Sequence, residues 1–284
     1  MSENFIKIPC FGVAGNFTGH LEQAGEDKDF KNIKVNEENA PKAIFPTYLP
    51  SKNINKTCPE FLKTFPFSND TIIFPSDEQK IQIESECGII FDAKWKENEL
   101  VSLKAKSFAA SNDCSIRKQG AKKISEKKNW GSKSKGVSKN KIEIDEFSEN
   151  GILNSYRIAS FLIRDKKIFD YGEDSAIKNY SYIYDKLIFW MLEKFNKQKD
   201  EGPAENIHDY LLDCGKPEQI FVSIGATRYT DFGEQNFLQE NDETCVILYP
   251  ENKYNHEEIK NIALNDNFNF SDICVLKQRI VLGK

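Results

Sequence analysis

The chain is 284 residues long, 39% hydrophobic and 29% charged, with a formal net charge of −5. Its 21 phenylalanines and 10 tyrosines can fill a sizeable core, which excludes a disordered chain, and no apolar run approaches the ~18 residues of a membrane span. Seven scattered cysteines without a Cys-x-x-Cys pair, and no basic start followed by an apolar stretch, give the expectation of reduced thiols in a cytoplasmic protein.

In chain order, residues 5–91 read as short strands and loops punctuated by Pro41, Pro46, Pro50, Pro59, Pro66 and Pro75, a spacing that breaks helices. Within this stretch 71–75 and 80–91 predict two strands; in the second, Ile81, Ile83 and Cys87 alternate with Gln82, Glu84 and Glu86. Another strand is predicted over 101–116, running into an Asn-Asp turn. The segment 117–141 then holds Arg117 and nine lysines against Glu126 alone, and reads as a basic loop or lid. Nucleic-acid binding through it is not expected, because Trp130 is its only aromatic residue for stacking on bases. A strand region over 152–170 is followed by apolar residues from Ile177 to Phe195 at three- and four-residue spacing, which predict an amphipathic helix. Asp174 and Ser175 stand where they could cap its start, and Gly202-Pro203 ends it. A shorter helix over 204–214 should stop at Gly215, and strands resume over 219–223 and 244–249. Strands on both sides of a helical excursion predict one interwoven domain over 1–284, α+β but mainly β.

No phosphate-binding glycine loop, nucleophile elbow or His-Glu-x-x-His pair occurs, and there are only three histidines. Carboxylates would have to carry a metal site, which points to magnesium, with manganese or calcium as the other oxygen-seeking ions. Glu84 and Glu86, two apart on a strand, project from one face. Two carboxylates held together repel unless a cation resolves the conflict. Taken alone, the pair reads more simply as the solvated face of an edge strand. Asp113, at a strand end, offers a third ligand, although Asn-Asp there is more often a turn former. Lys133 is a candidate cation beside such a centre, and otherwise a solvated loop lysine. His20 lies in a glycine-punctuated loop where access is expected, with a surface histidine as the competing reading. His208 and His256 sit on polar helical text and are read as structural.

Taken together and in order, these pieces resemble the fumarylacetoacetate hydrolase family over about residues 10–250. Asn16-Phe17-Thr18-Gly19-His20 is similar to its opening Asn-Tyr-x-x-His, Glu84 and Glu86 to its Glu-x-Glu, and Asn112, Asp113, Ser115 and Arg117 to its Asn-Asp-x-Ser/Thr-x-Arg. Lys133-Ser134 after Trp130 resembles its Gly-Lys-Ser, and Gly225 its Thr-Gly-Thr loop. The resemblance implies a mixed β-roll with peripheral helices, usually a homodimer. It also implies magnesium on Glu84, Glu86 and Asp113, a small anionic 2-oxo acid substrate bound with help from Lys133, Arg117 and Gly225, and catalysis involving His20 and Lys133. A Lewis acid on the keto oxygen would stabilise the enolate formed when a neighbouring bond breaks.

Three departures bear on the reaction. The family's hydrolases pair the loop histidine with a glutamate three residues on, where this chain has Gln23, and Glu22 and Glu26 lie on other sides of a helical turn. Lys118 and Ala226 replace a usual aspartate and threonine. The expected reaction is cleavage, decarboxylation or isomerisation of an acylpyruvate- or oxaloacetate-type acid, and these changes weigh against water-dependent hydrolysis and towards decarboxylation or isomerisation, which need no activated water. They also motivate the alternative of a catalytically reduced protein that uses the fold to bind a metabolite or a protein partner.

Overall fold

The computed structural model describes residues 5–30, 37, 39–51, 58–75, 80–118, 120–266 and 268–283. In chain order the strands are β1 (Cys10–Ala14), β2 (Ala43–Tyr48), β3 (Phe67–Ser68), β4 (Thr71–Phe74), β5 (Ile81–Gln82), β6 (Ser85–Lys96), β7 (Glu99–Asn112) and β8 (Ser115–Ile116). They continue with β9 (Lys135–Val137), β10 (Ile142–Glu143), β11 (Tyr156–Arg164), β12 (Lys167–Ala176), β13 (Gln219–Ala226), β14 (Glu243–Pro250) and β15 (Cys274–Leu282). The helices are α1 (His20–Gln23), α2 (Tyr184–Lys197), α3 (Ile207–Asp213), α4 (Asp231–Gln235) and α5 (His256–Asn265). This is the mainly β, α+β composition that the proline spacing and alternation predict. No helix among the described residues is long and apolar enough to cross a membrane.

An eight-stranded sheet runs β2-β1-β13-β6-β7-β9-β3, with β10 also on β7, and a five-stranded sheet runs β12-β11-β14-β15-β4. The parallel pairing of β1 with β13 places the start of the chain beside its last third. Alternate residues of facing strands build one core between the sheets: Ile89, Phe91 and Phe108 from the first meet Ile158, Val246, Leu248 and Leu276 from the second. Strand β14 is buried on both faces because its other parity, Cys245, Ile247 and Tyr249, packs under α5 with Ile259 and Ala263. That double burial explains its unbroken apolar run. Lys96 pairs with Glu99, so a two-residue Glu97-Asn98 turn closes the long β6–β7 hairpin. The open end of that hairpin carries the carboxylates.

Three expectations are corrected. The helix starts at Tyr184 rather than near Ile177, because Asp174 and Ser175 belong to β12 and Asp174 pairs with Arg157 and His256 instead of capping. Ile177 and Tyr180 keep their apolar role from a short 3-10 turn. The even-numbered face of 82–86 is not solvated: Gln82, Glu84 and Glu86 are all buried. Finally, the basic segment is built into the fold along part of its length, with Lys127, Lys128 and Lys135 buried and β9 in the larger sheet.

Candidate metal centre

Strand pairing assembles the acidic residues. Ser85 pairs with Asn112, so Glu84 and Asp113 stand side by side at the hairpin end, where the Asp113 N–H donates to the Glu84 carbonyl at 2.9 Å. The Asn112 side chain locks this end, accepting from the Glu84 N–H at 3.2 Å and donating to Gln278 at 3.1 Å. Glu86 lies opposite Ala226, where the register of β13 shifts between Ser223 and Ala226. This irregularity turns the Gly225 N–H onto Glu86 Oε2 at 2.9 Å. Glycine is required there: φ is +119°, and a Cβ would lie 3.0 Å from that of Asn16.

One oxygen from each of Glu84, Glu86 and Asp113 lies within 4.8 Å of the others, and the three residues are 4%, 1% and 2% exposed. In donor type and spacing this set fits a divalent cation, since two metal–oxygen bonds of about 2.0–2.6 Å span such separations. The cluster also contains its own cations. Lys128 Nζ lies 2.5 Å from Glu84 Oε2 and 2.9 Å from Asp113 Oδ2. Lys135 pairs with Asp113 Oδ1, and Arg117 Nη2 lies 2.8 Å from Glu84 Oε1. Every carboxylate oxygen of Glu84 and Asp113 therefore faces a positive charge, although Glu84 Oε1 and Asp113 Oδ2 are in charge contact without hydrogen-bond alignment.

Local structure accounts for each cation. Lys128 follows a 3-10 turn over Ile124–Lys127, and its neighbours clamp it inward: Asn129 donates to the carbonyls of Thr47 at 2.9 Å and Thr64 at 3.0 Å, and Trp130 to that of Ile73 at 2.9 Å. Lys135 enters because Gly136 pairs with Asn112, which sets the preceding residue beside Asp113. Arg117 donates to Gln82 Oε1 at 2.7 Å, Glu26 at 2.8 Å and the Tyr229 hydroxyl at 2.7 Å.

These contacts set the protonation states. Burial opposes ionisation of Glu84, but Lys128 and Arg117 outweigh it and hold the carboxyl below the usual range. Burial, reinforced by Asp113 and Glu84, pushes Glu86 well above it. Lys128 is raised, its burial overcome by Asp113 and Glu84, whereas burial lowers Lys135 despite Asp113. His20, carried at the start of α1 after Gly19 in a left-handed conformation, is held down to about 4 by burial, against a smaller opposing effect of Glu84. Its Nε2 is 4.0 Å from Glu84 Oε1, and its buried Nδ1 has no hydrogen-bond partner among the described residues. Gln23 uses its amide on the Tyr229 backbone, accepting from N–H at 2.9 Å and donating to the carbonyl at 3.1 Å.

Of the candidates from sequence, His20, Glu84, Glu86, Asp113, Arg117 and Gly225 are brought together, and Lys133 is not. Lys133 is exposed in a left-handed turn (φ 55°), and its carbonyl accepts from the Ile73 N–H at 2.9 Å. Lys135, two residues on and at the first position of a strand, points inward instead. Arg117 and Gly225 engage the carboxylates directly, Arg117 through Glu84 and Gly225 through Glu86. Sequence reasoning missed Glu26, Lys128, Lys135 and Tyr229. For Lys135 the signal is weak, Val137 alone favouring a strand after the turn; for Lys128, in a run of similar lysines, there is none.

A cavity of about 360 Å³ opens onto Glu26 and Arg117 and is bordered by Gly25, Lys118 and Lys127. Two larger cavities of about 600 Å³ lie elsewhere, one at the β6–β7 turn with His208 and one beside Tyr48 and Cys214. None of the three is lined by Glu84, Glu86 or Asp113; the smaller one adjoins the cluster through Glu26 and Arg117.

Comparison with solved structures shows the fold to be that of fumarylacetoacetate-hydrolase-type proteins. A 2-keto-3-deoxy-D-arabinonate dehydratase complexed with magnesium and 2,5-dioxopentanoate is 13% identical at a TM-score of 0.54, covering 97% of this chain and 73% of the other. A 5-carboxymethyl-2-hydroxymuconate delta-isomerase from Mycobacterium smegmatis is 12% identical at 0.52, with 97% and 79% covered. The yeast protein ynq8, of the fumarylacetoacetate hydrolase family, is 13% identical at 0.53, with 99% and 96% covered. No curated protein matches this sequence. Residues 26–280 match DUF5718, described as a family of unknown function, and the chain belongs to that family.

Proposed function

We propose that the chain is a divergent enzyme of fumarylacetoacetate-hydrolase type that acts on a small 2-oxo acid, by decarboxylation or isomerisation in preference to hydrolysis. The observation that carries this reading is the buried Glu84, Glu86 and Asp113 cluster with His20 beside it. The dehydratase of the same fold, crystallised with magnesium and a dioxo acid, supports the substrate class. Magnesium held by Glu84, Glu86 and Asp113 would supply Lewis acidity towards the 2-oxo carboxylate. Arg117, Lys118 and Lys127 give the cavity a positive lining suited to an anion. His20, neutral at pH 7, is the base for a proton next to the keto group, and burial keeps water away from it. Gln23 favours the non-hydrolytic reading: it holds the Tyr229 loop and brings no carboxylate to orient His20 for activating water. This reading includes a homodimer, as in the resembling family.

The test is proton chemistry on oxaloacetate or an acylpyruvate, followed by NMR as deuterium exchange next to the keto group and as decarboxylation, with magnesium present. The wild type should exceed buffer in both; Glu86→Ala should lower both rates, and His20→Ala the exchange rate, about 100-fold or more. No acceleration by wild type, with binding of the same acids intact, would leave the non-catalytic metabolite-binding reading.

A further inference from the structure

We infer that Lys128 and the divalent cation compete for one place, so that the metal enters this centre only when the Lys128 ammonium withdraws. The inference rests on the metal reading proposed above and adds its control element. Lys128 Nζ bridges two different carboxylates, at 2.5 Å to Glu84 Oε2 and 2.9 Å to Asp113 Oδ2. A metal shared by those residues needs the same bridging position at a similar distance. The other oxygens of the pair are not free substitutes, since Glu84 Oε1 faces Arg117 and Asp113 Oδ1 faces Lys135. Charge leads to the same conclusion: the carboxylates in ion pairs, Glu26, Glu84 and Asp113, already face four cations, Arg117, Lys127, Lys128 and Lys135.

Of the three cations on Glu84 and Asp113, Lys128 is the one whose side chain is least fixed. Arg117 is fixed by hydrogen bonds to Gln82, Glu26 and Tyr229, and Lys135 belongs to a strand inside the larger sheet. Lys128 lies outside any strand, and its ammonium is held by the two carboxylates, a long 3.4 Å contact to the Asp113 carbonyl and the Phe45 ring at 5.3 Å. Its flexible stem has four carbons, and the clamps on Asn129 and Trp130 hold the backbone without holding the side chain.

The experiment titrates full-length wild type, Lys128→Met and Lys128→Arg with Mn²⁺, read by electron paramagnetic resonance and by the melting temperature. Lys128→Met should bind Mn²⁺ at least tenfold more tightly than wild type and melt higher when the ion is added, while Lys128→Arg, which keeps the charge, should bind no better than wild type. Tight binding to Lys128→Met with none to wild type would support the competition and overturn metal dependence of the natural chain. Wild type binding as tightly as Lys128→Met would overturn the competition and leave the metal reading standing. Binding to neither would overturn both. Should Lys128→Met be unfolded without ion, recovery of a cooperative melt on adding millimolar Mn²⁺ supports the inference, and failure to recover overturns it.

Discussion

Replacing Glu84 with glutamine is expected to destabilise the metal-free protein by about 3–5 kcal/mol, whereas the same change at Glu86 should be neutral or stabilising. Glu86 lies in β6 and Glu84 immediately before it, two residues apart, yet their surroundings are opposite. Glu84 is ionised and faces Lys128 and Arg117, so an amide leaves two buried cations short of their counter-charge. Glu86 accepts one backbone hydrogen bond and is otherwise opposed by burial, Asp113 and Glu84, so an amide relieves repulsion. Urea unfolding at pH 7 with a chelator present measures both, and equal costs for the two variants would contradict the charge assignment. The pH dependence has opposite signs. Because the folded Glu84 carboxyl titrates below its ordinary value of 4.5, its contribution is fully present above that pH and is lost on acidification, so the deficit of Glu84→Gln shrinks towards low pH. Because Glu86 is raised, its cost develops as pH rises above 4.5, and the relative gain of Glu86→Gln grows in that direction.

Arg117→Met should have an effect of similar size, about 3–5 kcal/mol, for the complementary reason. Removing the guanidinium leaves Glu26 and Glu84 buried with, among the described residues, Lys127 and Lys128 as paired cations, and withdraws donors from Gln82 and the Tyr229 hydroxyl. Arg117→Lys restores the charge but not the planar fork that reaches four partners, so it should recover only part of the loss. Thermal and urea unfolding of the pair measures this, and a lysine variant as stable as wild type would show that charge alone matters at this position.

The acidic half of the centre was legible in the sequence because local rules position it. Glu84 and Glu86 share strand parity, and Asp113 ends the partner strand, so a hairpin of that register brings them together whatever surrounds it. The basic half was not legible for a physical reason. Lys128, Lys133 and Lys135 occupy one lysine-rich segment of uniform local character, and what separates them is tertiary: the clamps of Asn129 and Trp130, the left-handed turn at Lys133 and the pairing of Gly136 with Asn112. For that reason the resemblance pointed to Lys133, which the turn leaves exposed, and not to Lys135 on Asp113. The start of α2 was misplaced by a related ambiguity, since Ile177 and Tyr180 fill the core from a 3-10 turn at the spacing of a helix. Glu26 shows the limit of helical geometry. It lies past the end of α1, not on it, and from there reaches Arg117.

The most direct test of the central claim is anomalous scattering from crystals of the wild-type protein soaked in Mn²⁺ at high concentration together with oxalate, a mimic of the 2-oxo carboxylate. The expected result is one manganese peak about 2.0–2.6 Å from oxygens of Glu84, Glu86 and Asp113, with oxalate completing its coordination and the Lys128 ammonium displaced from between Glu84 and Asp113. A peak bound elsewhere, or no peak with Lys128 still bridging the two carboxylates, would contradict it.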